Sequence, residues 1–409
     1  MTRGKRNKTS QIILLASTGM ANIGEWVYHI AINLMIFNQT GSALAVTCLY
    51  LLKPLATLLT NGWSGSVVDR VNKRKFMILL LLFQAIFLSL LPFFTSLLWI
   101  YSLVLVVNMG HALYHPASII YMTKLVPIHE RKQFNSFRSL MDSGAFVIGP
   151  AIAGLLFIIS TPVTAIYVNA IALMIAGFLI FLLPNLETFK APEVPTFTFK
   201  QLRADWRIVF EFSKRSRTVV IIYFLFSAVT VMTAGVDSLE AAFAKDVLNL
   251  TNTAYGFLVS IAGGGILLGA VMNTFLVKRL STSMLMGGGS LLLALGYVVF
   301  ATSSGMTMAA VGCFILSFSL AFANTGFLTF YQEHIPVEVM GRIVSLFGVA
   351  EAIAIIIVTV ACGAIAEFVS IRFSVLAGVL VMVGIAIVVF VHLLVPIKTW
   401  KADRMKSAR

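Results

Sequence analysis

Apolar runs of twenty or more residues, separated by short polar breaks, recur along the whole chain. A hydrocarbon core about 30 Å thick needs about 20 apolar residues per helical crossing. The pattern predicts twelve such helices, at residues 11–37, 43–67, 75–96, 98–123, 135–160, 162–184, 218–243, 253–276, 283–303, 307–332, 342–366 and 372–396. The breaks are too short for a soluble shell, so the predicted fold is an all-α polytopic membrane protein.

Composition supports this reading. Of 409 residues 59% are hydrophobic and 11% charged, whereas soluble domains are about half apolar and a quarter charged. So few charges cannot cover a water-facing surface. The net charge of +14 does not indicate nucleic acid, because the basic residues are not gathered on one face with aromatics. They lie in the breaks, and 27 of the 30 Lys and Arg fall on one side of a twelve-helix topology. The positive-inside rule then places both termini in the cytoplasm, with the chain in the cell membrane as a multi-pass protein. Lys245 and Arg372 fall on the opposite side, and Lys53 lies inside a span. Cys48, Cys313 and Cys362 lie within apolar spans without metal-ligand spacing, so no metal or cofactor is expected. The basic start, residues 1–10, leads into a run too long for the core of a signal peptide, so the first span is read as retained.

The longest break, residues 185–217, divides the chain into an N-terminal six-helix bundle (1–184), a linker (185–217) and a C-terminal six-helix bundle (218–409). Pro192, Pro195, Thr196 and Thr198 make the linker's first part irregular. Phe199, Leu202, Trp206 and Phe210 then recur at helical spacing between Lys200, Arg203 and Arg207, which predicts an amphipathic helix on the membrane surface. Pairing each residue with the one 209 positions later sets Pro127 on Pro336, Ser136 on Ser345, Asp142 on Glu351, Gly154 on Gly363 and Arg70 on Arg279. Two pseudo-symmetric halves are a known transporter plan, with substrate held between them near the bilayer midplane.

Between the second and third spans stands GSVVDRVNKRK, Gly65–Lys75. It resembles the G-x-x-x-D-R-x-G-R-R/K signature of major facilitator transporters, with Asn72 where the second Gly is usual. Asn tolerates a left-handed backbone better than most residues, so the turn is expected to survive. GPAIAG, Gly149–Gly154, is similar to the span-five motif of proton-antiporting exporters. GEWVYHIAINLMIFNQTGSALAV (24–46) and QEHIPVEVMGRIVSL (332–346) resemble the macrolide-efflux and enterobactin-exporter branch. The resemblance implies a monomeric carrier whose spans one, four, seven and ten line the cavity. It also implies export of hydrophobic drugs or siderophores against a proton gradient.

Each motif has a mechanical reading. Asp69 could sit against the N-terminus of span eleven near Gly341, where a helix dipole favours an anion, while Arg70 and Arg74 exchange partners as the halves rock. A solvated basic loop is the plainer alternative. Gly149, Pro150 and Gly154 predict a bend and a close helix contact in span five. Asp142 and Glu351 would make gating contacts between the halves, with Arg138 or Arg342 as partners, or else act as static helix glue.

Ionisable groups inside spans are costly and mark pathways, relays or partners. Glu25 and Lys53 lie at similar depth, about 1.5 Å of rise per residue from opposite faces. They form either a static ion pair or a titrating site. His29 and Asn33 follow Glu25 at i+4 and i+8 and share its helix face. His111 and His115 form another i, i+4 pair, read as cavity lining or proton relay rather than a metal site, because no HExxH pattern or third ligand accompanies them. Asp237, Asn324 and Gln332 add polar candidates in the second half. No nucleophile–base constellation or phosphate loop is visible, so no enzyme is expected. The predicted function is export of a small hydrophobic compound in exchange for protons, with sodium as the other candidate ion. A lipid or glycolipid flippase and a proton-coupled importer are the alternatives. Partners are the substrate, the coupling ion and membrane lipids.

Overall fold

A computed structural model describes residues 3–40, 43–187 and 199–394. The Pro/Thr-rich stretch 192–198 and the basic C-terminal segment 398–409 lie outside the described residues. Among the described residues the chain is helical throughout, without strands. The first half comprises α1 (Arg3–Thr40), α2 (Ala43–Arg70), α3 (Lys73–Leu90), α4 (Leu97–Leu125), α5 (Arg131–Ile159) and α6 (Pro162–Phe181). The linker helix α7 (Phe199–Arg215) follows. The second half comprises α8 (Arg217–Asp237), α9 (Asn252–Leu276), α10 (Gly289–Ala301), α11 (Met306–His334), α12 (Met340–Phe368) and α13 (Ile371–Leu394). A π turn, Met284–Gly288, leads into α10. Ten elements are long and apolar enough to cross a membrane by length and composition. With α1 and α2, 38 and 28 residues long, they make twelve membrane helices, and α7 is a thirteenth helix, an amphipathic one.

Large apolar side chains cover the outside: Phe93, Leu98, Phe275 and Phe368 are each more than 70% exposed. In water such a surface would aggregate; in a bilayer it is the solvated face. Lipid supplies no hydrophobic drive for helices to associate, so close packing must come from small residues. In the second half a glycine ladder supplies it. A Cβ on Gly296 would strike the Leu316 backbone, one on Gly312 the Phe300 backbone, and one on Gly289 the Ala323 backbone, so α10 and α11 meet backbone to backbone. Gly265 meets the Phe314 carbonyl in the same way, between α9 and α11. In the first half Gly149 of α5 admits the Cβ of Trp26 on α1, while Gly24 of α1 admits Asn169 and Ala172 of α6.

Two corrections to the sequence reading arise here. Among the described residues a Cβ at Gly154 would meet nothing within 4 Å, and the close contact seen in α5 is at Gly149. Asn72 is extended (φ −69°, ψ 110°) rather than left-handed, and its side chain accepts from the Lys75 N–H to cap α3. An Asx cap satisfies a free helix-end donor, so the turn needs no second glycine.

Contacts divide the chain into two compact units. One is Met1–Trp206 with Val337–Ile353, and the other is Arg207–Pro336 with Ala354–Arg409. The first turns of α12 thus cluster with the N-terminal helices, for reasons given below.

Candidate functional site

Two polar constellations stand out in the first unit. One is intramembrane and centres on α1. The side chain of Glu25 is 29% exposed, and its Oε1 lies 3.2 Å from Lys53 Nζ on α2 and 3.5 Å from His29 Nε2 one turn along α1. Its Oε2 lies 3.9 Å from His111 Nδ1 on α4. Three helices therefore aim basic nitrogens at one carboxylate. Lys53 is about half exposed, so the pair is not sealed. Asn33 is half-buried two turns beyond Glu25, and His115 is exposed one turn beyond His111.

A cavity of about 50 Å³ adjoins Glu25 and is also lined by Tyr28, Gln84, Asn108, His111 and Asn169. A water needs roughly 10–15 Å³ in this measure, so the space suits a few waters or a small ion and not a drug-sized molecule. The Tyr28 hydroxyl and Asn169 Oδ1 are buried without a hydrogen-bond partner among the described residues. Asn22, on the same wall, donates to Asp142 Oδ1 at 2.5 Å. Arg138 lies 3.9 Å from the other oxygen of Asp142, one turn along α5. Asp142 thus bonds to α1, where Asn22 lies across the close α1–α5 packing at Gly149.

The second constellation lies where α2 ends and α12 begins. Asp69 Oδ1 accepts the Gly341 N–H at 2.9 Å, and Oδ2 accepts the Arg342 N–H at 3.3 Å and Arg342 Nε at 2.8 Å. The carboxylate caps α12 as the dipole favours and also forms a charge-assisted bond. Gly65, one turn earlier, is what allows this approach: a Cβ there would lie 2.5 Å from Arg342 Cα and 2.6 Å from the Gly341 carbonyl. Ser64 and Ser345 share a buried hydroxyl contact of 2.8 Å beside it.

Asp205, on α7, was missed by the sequence reading. Only 2% exposed, it takes a two-pronged grip from Arg70, at 2.8 and 2.7 Å, and a third contact from Arg342 at 3.1 Å. Burial raises the Asp205 pKa, but bonds from Arg70 and Ser66 and the charge of Arg342 outweigh it and hold the carboxyl below the usual range. The chain Asp69–Arg342–Asp205–Arg70 is therefore continuous. Arg74 stands outside it: it donates to the Phe181 carbonyl at 2.5 Å and lies over the Phe181 ring, closing the end of α6. Glu187 accepts from Lys124 at 2.9 Å and lies 3.6 Å from Lys73. Pro150 sits inside α5, which runs through it unbroken from Arg131 to Ile159. Glu351 is half-buried on α12.

In the second unit Asp237 accepts the Tyr297 hydroxyl at 2.5 Å. Asn324 is exposed on α11 and Gln332 is buried. Among the described residues no group of three or more His, Cys, Asp or Glu is arranged to hold a metal.

A twelve-helix membrane bundle with a carboxylate-centred polar site and a capped helix junction has the makings of a solute carrier. The Major Facilitator Superfamily model matches residues 14–359, and the chain belongs to that superfamily of transporters, which are carriers and not enzymes. It is 25% identical over 394 residues to the MFS-type transporter YfiS of Bacillus subtilis, covering 93% of each chain. It is 22% identical over 346 residues to macrolide efflux protein A of Streptococcus pyogenes, covering 81% of this chain and 83% of that one. Among solved structures, a bacterial homologue of the iron transporter ferroportin in an outward-facing state superposes with a TM-score of 0.76 at 19% identity. It covers 94% of this chain and 99% of that one.

Proposed function

We propose that this carrier exports a small hydrophobic compound, drug-like or siderophore-like, across the cell membrane by alternating access in exchange for protons. Both termini and the basic breaks face the cytoplasm. The observation that carries the reading is Glu25, an intramembrane carboxylate with Lys53, His29 and His111 aimed at it from three helices beside a cavity of water dimensions. A carboxylate that can trade its proton against a neighbouring ammonium couples ion movement to a change of helix contacts, since an intramembrane charge is tolerated only while partnered. Likeness to a macrolide efflux protein supports outward transport of an apolar cargo.

In this scheme Glu25, His29, Asn33, Lys53, His111 and His115 line the ion and substrate path, with Asp237 and Asn324 in the other half. Asp69, Gly65 and Arg70 close the cytoplasmic end, and Arg138, Asp142, Gly149, Pro150 and Glu351 set helix contacts that change as it opens. Arg74 serves as a fixed brace.

The test is solute-driven proton movement in proteoliposomes, comparing wild type with Glu25→Gln across lipophilic dyes, macrolides and catecholates. The expected result is substrate-driven proton flux, abolished by Glu25→Gln with binding retained. Flux driven by sodium alone would reassign the ion. Labelled lipids crossing the bilayer with no proton flux from any compound would replace the exporter with a flippase.

A further inference from the structure

We propose that α7 is a docking helix for anionic lipid headgroups, and that its seat on the membrane surface holds the Asp205 bridge in place. The two faces of the helix carry the argument. Asp205, Val209 and Phe212, at i, i+4 and i+7, are 2%, 1% and 8% exposed and form its buried stripe. At 100° per residue the adjoining flank carries Trp206 and Phe210, which are 41% and 60% exposed. Beside that flank run Arg203, Lys214 and Arg207, all exposed.

Such an order has a physical meaning. Two exposed aromatics on a short polar helix are unfavourable in water, whereas the headgroup region suits them, above all Trp. Trp206 is already oriented: its indole N–H donates to the Gly62 carbonyl at 3.1 Å, so α2 holds the polar edge of a residue that stays 41% exposed. The basic ridge lies where phosphates would be when the aromatics are inserted. Among the described residues of this ridge, Arg207 is the cation ion-paired on the helix, with Glu211 at 3.0 Å. That leaves Arg203 and Lys214 as the cations that favour an anionic surface over a zwitterionic one. A soluble acidic partner would meet the same cations but would not account for the flanking aromatics.

The consequence follows from covalent geometry. Asp205 and Trp206 are adjacent, so whatever seats the Trp206 ring also positions the carboxylate that joins Arg70 to Arg342. In this arrangement bilayer charge bears directly on the junction of α2 with α12.

The experiment uses the full chain in lipid nanodiscs, with native cysteines replaced and spin labels at Ala204→Cys and Lys75→Cys, both exposed positions. Discs contain phosphatidylcholine alone, phosphatidylcholine with phosphatidylglycerol, or phosphatidylcholine with phosphatidylethanolamine. An Asp205→Asn, Trp206→Ala variant calibrates the undocked distance. Each surface cation weights the docked population by about fivefold near an anionic bilayer. Arg203→Gln with Lys214→Gln should therefore lower the docked ratio in phosphatidylglycerol discs by about 25-fold and leave phosphatidylcholine discs unchanged. High salt should have the same effect. Equal distributions in all three lipids would overturn the proposal, as would a phosphatidylglycerol effect that survives removal of both charges.

Discussion

Asp69 and Arg342 are 273 positions apart in sequence, yet one carboxylate oxygen receives both the backbone N–H and the Nε of that arginine. Both side chains are largely buried, at 2% and 15% exposure. Removing one partner of such a pair leaves the other uncompensated, at a cost of about 3 kcal/mol. Asp69→Ala is expected to lower the unfolding temperature in detergent and to expose a cysteine placed at Ser345 to an impermeant maleimide. Unchanged labelling and unchanged stability would mean that the pair does not hold the junction.

Ser64 and Ser345 give that junction a chemical ruler. Their hydroxyl oxygens are 2.8 Å apart, and a disulfide needs only about 2 Å between sulfurs with Cβ atoms about 4 Å apart. Ser64→Cys with Ser345→Cys should cross-link readily under mild oxidation and lock transport, with activity restored by reductant. Adding Gly65→Val should reduce the cross-link severalfold. Its side chain would have to displace α12 backbone, which close packing does not accommodate cheaply. Efficient cross-linking in the Gly65→Val background would show that the glycine is not what permits the approach.

Glu25 and Lys53 make a separable prediction about charge. Glu25→Gln or Lys53→Gln alone strands one charge in the membrane, while the double substitution strands neither. Because Lys53 is half exposed, each single change should cost only about 1–2 kcal/mol, below the figure for a fully embedded charge. The double variant should recover most of that loss, and a double-mutant cycle in thermal stability reads the coupling directly. Additive effects would argue that the two do not interact.

These sites differ in how far the sequence discloses them. The twelve spans were legible because lipid imposes one length and one composition on every crossing. Most observed helices end within a few residues of the predicted limits, as α4 does at Leu97–Leu125. By contrast α1 starts at Arg3, ahead of its apolar run, and α8 stops at Asp237, where the helix breaks before the run ends. Glu25 and Lys53 announce themselves as charges in apolar runs, and His29 follows by helical spacing. Asp205 has no such signal. It lies in a charged amphipathic segment where an aspartate reads as solvated, and its burial depends on Arg70 and Arg342 arriving from helices far away in sequence. The same holds for the bond of Asp142 to Asn22, which depends on the close α1–α5 approach at Gly149. Arg74 shares a motif with Arg70 yet turns to α6, a choice of rotamer that no spacing rule encodes.

Asp205 also predicts how the junction responds to acid. Its carboxyl is held below the usual range despite burial, which acts to raise it, through Arg70, Ser66 and Arg342. Glu187 is likewise held down against burial, by Lys124 and Lys73. A group whose folded pKa is depressed adds stability that is present above its unfolded value, about 3.9 for aspartate. That stability disappears as pH falls through the lower folded value. The stability gap between wild type and Asp205→Asn should therefore be constant from about pH 8 to pH 5 and shrink only below about pH 4. Thermal unfolding of both proteins across that range tests it. A gap that closes near neutral pH would mean that Asp205 is not ionised under the grip of the two arginines, and the bridge from α7 to α12 would need another explanation.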